Sequence, residues 1–159
     1  MLNLPVGIFE GVDELTLRDL YLAQVAGGAD VPRTFETLVI QYYAGGAPAA
    51  AVNLAVVVLA ATQLTHCDLS AKWQRAALEI LDQTPSDEIY LFWADQTSEL
   101  RVARAQMLRA LRAALAAYNP ALPPPFDPSG LPDFLRVDYQ RKMRLGTRWG
   151  VNHPPRKGE

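Results

Sequence analysis

His66, Cys67 and Asp68 stand side by side, the one place in the chain where residues of the base, nucleophile and acid types fall together. A thiol becomes a nucleophile when a base abstracts its proton and a third group orients that base, and such groups converge from separate parts of a fold. Three consecutive residues rarely do so. Cys67 also follows a very apolar stretch, so the expected roles are structural: Cys67 packs, His66 closes a helix, and Asp68 or Ser70 caps the next one. A small enzyme built on Cys67 and His66 is the third of three functional readings.

The other chemical groupings are equally ordinary. One cysteine and two histidines, the second at position 153, cannot assemble a zinc site without carboxylates or a second chain, so no metal or cofactor is implied. Asp13-Glu14 and Asp87-Glu88 sit at expected helix starts, where acids favour the helix dipole. Gly27-Gly28 and Gly45-Gly46 follow helices, whereas a phosphate-binding loop follows a strand and carries a fuller glycine and lysine pattern. The sequence therefore argues against catalysis.

Charge is more informative. Residues 1–100 hold 13 Asp/Glu against four Lys/Arg, and residues 101–159 hold 11 Lys/Arg against four Asp/Glu, under a net charge of −2. Separated charge of opposite sign steers and orients association, with another protein or with a copy of the same chain. A single cysteine excludes an intrachain disulfide, and the first residues lack the basic and apolar regions of a secretory signal. The expected setting is the cytoplasm or an intracellularly assembled particle.

These residues are positioned by helices. Thr16 is expected to cap a helix with Leu17, Leu20, Tyr21 and Val25 on one face, ended by Gly27-Gly28. Pro32 opens a second, with Phe35, Leu38, Val39 and Tyr42, ended by Gly45-Gly46. Residues 47–64 are almost wholly apolar and rich in alanine. The Val56-Val57-Val58 run fits a buried strand as well, but alanine favours a buried central helix. Pro48, Asn53, Thr62 and Gln63, and the length, argue against a membrane span. A fourth helix carries Leu69, Trp73, Ala76, Ala77, Ile80 and Leu81 and stops at Thr84-Pro85. Residues 88–93 read as a short helix, with a strand as the competing assignment.

The fifth long helix, 98–118, places Leu100, Ala103, Met107, Leu111, Ala114, Leu115 and Tyr118 on one face. Arg101, Arg104, Arg109 and Arg112 fall on another arc, a stripe that could track nucleic-acid phosphates together with the basic tail. That is the second reading, a nucleic-acid-binding accessory protein.

Six prolines between positions 120 and 132 then forbid a long helix and favour an extended path. Phe126, Leu131, Phe134 and Leu135 are too apolar for a solvated linker, so part of this stretch lies over a surface, of a partner or of the domain itself. A short helix is expected near 133–145.

The leading reading is thus a mainly α protein. Residues 1–119 form an acidic, compact, bundle-like helical domain, and 120–159 a proline-rich, basic C-terminal arm. The chain is a non-enzymatic structural or assembly subunit, an oligomer or a component of a larger complex, with other subunits or copies of itself as partners. Phe126, Phe134, Tyr139 and Trp149 are the expected anchors, and Arg136, Arg141, Lys142, Arg144 and Arg148 the orienting charges. A helical body with such an arm is an arrangement expected, by analogy alone, in subunits of large assemblies, viral particles and injection machines among them.

Overall fold

A computed structural model of the chain describes residues 7–85, 89 and 97–137, and the protein is mainly α-helical. Among the described residues five long helices follow in order: α1 (Val12–Ala26), α2 (Val31–Ala44), α3 (Ala49–Thr65), α4 (Ala71–Gln83) and α5 (Ser98–Ala117). Two short 3-10 turns, Pro128–Gly130 and Asp133–Leu135, come after them.

The apolar run folds as helix α3, with every side chain from position 54 to 63 buried. A helix apolar on all sides has no solvent face and must be enclosed. α1, α2, α4 and α5 each pack against it, α1 also packs on α2, and α4 on α5. Among the described residues no helix is long and apolar enough to cross a membrane.

Three polar side chains of α3 find partners inside this layer, although Gln63 Oε1 is buried without one among the described residues. Thr62 and Thr65 hydroxyls donate to the Val58 and Ala61 carbonyls at 2.9 and 2.8 Å, and Gln63 Nε2 donates to the Tyr21 hydroxyl at 3.0 Å. Around the hub, Phe35 of α2 stacks on Trp73 of α4 with ring centres 4.1 Å apart. Gln74 of α4 donates from Nε2 to the Leu115 and Tyr118 carbonyls at 2.6 and 2.7 Å. One side chain thereby ties α4 to the end of α5, adding to the Tyr118 amide that the Leu115 carbonyl already accepts.

Starts and stops follow capping chemistry. Asp30 accepts from the Arg33 amide, Ser70 from Trp73 and Thr97 from Leu100. Ser70, rather than Asp68, therefore caps α4. α1 begins a turn earlier than Thr16, which lies inside the helix and is exposed. Gly11 is its N-cap, and Asp13 and Glu14 occupy the first turn, where the dipole favours them. On the face that packs, Leu15 is buried with Leu17 and Tyr21, while Leu20 faces outward, 45 % exposed.

Three helices end in the same hydrogen-bonded turn. The amides of Gly28 and Ala29 reach back to Val25 and Gln24, those of Gly46 and Ala47 to Tyr43 and Tyr42, and those of Cys67 and Asp68 to Leu64 and Gln63. The turn requires a left-handed residue at its centre, and φ is +98° at Gly28, +76° at Gly46 and +58° at Cys67. Cys67 thus occupies a glycine position with a side chain, at a cost of about 1 kcal/mol. Beyond α4, Ile89 is buried in helical backbone, and the rest of the short helix expected at 88–93 lies outside the described residues.

Two predictions follow from this packing. Cys67→Gly relieves the strain and raises the melting temperature by about 2–4 °C, an effect of roughly 1 kcal/mol. An unchanged or lower value would mean that contacts of the thiol outweigh it. Burial, opposed by the Gln63 hydrogen bond and reinforced by Asp68, pushes the Tyr21 phenol up to about 12. Burial, with Asp13 and Glu14, does the same to Tyr42. The unfolded chain releases these protons near 10.0. The stabilisation is therefore intact below that pH and is lost as pH rises toward 12. Urea melts over this range should show falling stability, with a shallower fall in Tyr21→Phe; equal slopes in the two proteins would contradict the assignment.

Candidate docking surface

Tyr118, buried, caps α5, and Pro120 prevents its continuation. Asn119 reverses the chain: its Oδ1 accepts from the Ala121 amide at 3.0 Å and its carbonyl from Leu122 at 3.1 Å. Every residue from 121 to 130 is then exposed, including Leu122 at 77 % and Phe126 at 48 %. Asp127 closes the stretch by accepting from the Ser129 amide and hydroxyl at 3.1 and 2.7 Å, bonds that hold its carboxyl below the usual range.

The chain then returns to its own body. Leu135 is buried, and Leu131, Phe134 and Val137 pack against the core. The Ile8 amide donates to the Phe134 carbonyl at 2.8 Å. Gly7 makes the close approach possible, because a Cβ there would lie 3.1 Å from the Phe134 oxygen and 3.3 Å from that of Arg136. Residues 121–130 thus form a strap fixed at both ends. The Phe126 ring also stacks on His66, with centres 5.1 Å apart and planes 11° from parallel.

This geometry divides the expected anchor set. Phe126 is half exposed on the strap. Phe134 is partly buried and packs against the chain's own core beside the buried Leu135, so the domain itself supplies the surface for this apolar pair. Arg136 is exposed and pairs with Asp133 at 3.1 Å. Tyr139, Arg141, Lys142, Arg144, Arg148 and Trp149 lie outside the described residues, as does most of the helix expected at 133–145, of which the 3-10 turn at its start is seen.

The arginine stripe of α5 loses one member, Arg104, to the interior. Arg101, Arg109 and Arg112 are exposed, but Arg104 is only 7 % exposed. It lies one turn before Met107 and Leu108, both buried, so the side chain shares the core-facing side, with its Nη1 buried as well. Arg112 grips Asp82 through Nε and Nη2 at 2.5 and 3.1 Å, which lowers the Asp82 carboxyl and raises the guanidinium. Asp82, Arg109 and Arg112 line a cavity of about 310 Å³ between α4 and α5, with Leu81, Ile89 and Leu108 beneath. A bidentate ion pair at its edge leaves less uncompensated positive charge than four free arginines would supply for phosphates.

His66 is the C-cap of α3, and Cys67 is the left-handed residue that follows it. His66 Nδ1 lies 3.0 Å from the Thr62 carbonyl, so that nitrogen carries the proton it donates. Burial, then Asp68, pushes the Cys67 thiol up, which makes the reactive thiolate scarcer at neutral pH. Among the described residues there is no cluster of three or more His, Cys, Asp or Glu suited to a metal.

Buried charge is what sequence reasoning missed. Glu10 and Glu14 are 5 % and 2 % exposed, like Arg104 inside the body rather than on it. Glu10 Oε2 accepts from the Gly7 amide at 3.0 Å, so it helps fix the segment against which Phe134 docks. The i, i+4 spacing of the two glutamates was the available signal, and their proximity to a helix start concealed it. No protein-family model, curated protein or solved structure matches this chain.

Proposed function

We propose that this chain is a non-enzymatic structural or assembly subunit that docks on another protein subunit, or on a copy of itself, through its strap and the basic, aromatic segment behind it. The observation that carries this reading is the exposed strap of residues 121–130, which holds Leu122 in solvent and leaves Phe126 half exposed on His66 while both its ends are fastened to the body. Apolar groups presented on a fixed path lose little further entropy on binding.

Behind the strap, the charge asymmetry of the sequence supplies orientation: Arg141, Lys142, Arg144 and Arg148 meet an acidic face such as that of residues 1–100, and Tyr139 and Trp149 anchor the contact. The raised Cys67 thiol supports a non-enzymatic role. The burial of Arg104 and the pairing of Arg112 favour a protein partner over nucleic acid. An assembly context such as a viral particle or injection machine is compatible with this reading.

The test is Trp149→Ala combined with Arg141→Glu and Arg144→Glu. Light scattering of the native complex and retention of its co-purifying partners should show docking weakened by about tenfold or more, since charge reversal against an acidic surface costs several kcal/mol where the groups are desolvated. Circular dichroism and melting temperature should stay near wild type. Normal assembly of the folded triple variant would refute the docking role of this segment.

A further inference from the structure

We propose that residues 122–126 are a preformed polyproline-helix ligand for a partner protein with an aromatic-lined groove. This deepens the docking reading, on which it rests, by naming the partner class for one part of the surface.

Covalent geometry comes first. Pro123, Pro124 and Pro125 each have φ fixed near −65° by the ring, and each residue preceding a proline is driven toward extended backbone, which covers Leu122, Pro123 and Pro124. Such a run settles into a left-handed polyproline helix of three residues per turn. Leu122 and Pro125 then share one edge, and Pro123 and Phe126 the next.

Its setting in the fold keeps this ligand available. Residues 122–126 are all exposed, and among the described residues none of their carbonyls accepts a hydrogen bond. Exposed prolines flanked by unbonded carbonyls match what aromatic grooves recognise: rings stack on the pyrrolidines while indole or phenol donors bond the carbonyls. The Asn119 turn and the Asp127 turn hold the two ends, and the His66 stack orients Phe126. Part of the ordering that a free peptide would undergo on binding is therefore made in advance by the two turns and the stacked ring.

Charge narrows the partner. Between positions 119 and 131 the sole ionisable side chain is Asp127, and its carboxylate is engaged by Ser129. The complementary groove is uncharged and aromatic, without the acidic pocket that an arginine-flanked proline ligand requires.

The experiment is titration of the full ¹⁵N-labelled chain with recombinant domains of the SH3, WW and EVH1 classes. At least one should bind saturably with micromolar affinity, shifting the Leu122, Phe126 and Asp127 amides. Pro124→Ala with Pro125→Ala should weaken that binding at least about tenfold, with the melting temperature kept within about 5 °C of wild type. The Trp149, Arg141 and Arg144 triple variant should bind the same domain as wild type, so failure of the tail and failure of the strap are read separately. No binding by any domain, shifts confined to other residues, or undiminished binding by the double variant would overturn the proposal. So would concentration-dependent dimerisation abolished by that variant, which would make the occupant a second copy of this chain.

Discussion

Enclosure of α3 is the constraint on which the rest of the structure depends. Its buried side chains include Leu54, the three consecutive valines and Leu59, and at about 25 cal/mol per Å² of apolar surface removed from water, leaving even one face open would forfeit several kcal/mol. Four helices close around it, and each must start and stop where the hub allows. That requirement explains the three identical helix-terminating turns, one of which tolerates a left-handed Cys67. It also explains Gln63 and Tyr21: a polar side chain in a dry layer needs a partner, and a phenol from α1 supplies one.

Much of this was legible in the residues because helices are written in local chemistry. Glycine pairs mark the ends of α1 and α2, Pro32 and Pro48 mark starts, and the alanine content of 47–64 separates helix from strand where the valines alone did not. α5, expected over 98–118, spans Ser98–Ala117. What failed depended on tertiary context. Thr16 has a capping side chain, but burial of Leu15 and the acids at 13 and 14 extend α1 past it. Arg104 is the exception: on the helix projection it falls between Leu111 and Leu115, inside the apolar arc, so its burial follows from periodicity alone. Gln74 carries no sequence signal for its bonds to α5, because those partners are 41 and 44 residues away.

The proline-rich segment illustrates the same division. Its prolines state that no long helix forms, and its apolar residues state that it lies on a surface, but only the fold decides whose. Leu135 and Phe134 return to the chain's own core beside Ile8, while Leu122 and Phe126 remain outside. The helical body therefore extends beyond Asn119, and an exposed path of ten residues is held between two fastened ends. The docking account rests on this difference between apolar residues the body has used and those it presents.

Native-state hydrogen exchange of the full chain tests that difference most directly. The Ile8 amide, bonded to the Phe134 carbonyl, should be protected to a degree approaching the amides of α3, while the Phe126 amide exchanges near the rate of an unstructured peptide. If Ile8 exchanges as fast as Phe126, the returning segment is not part of the body and the strap is not fixed.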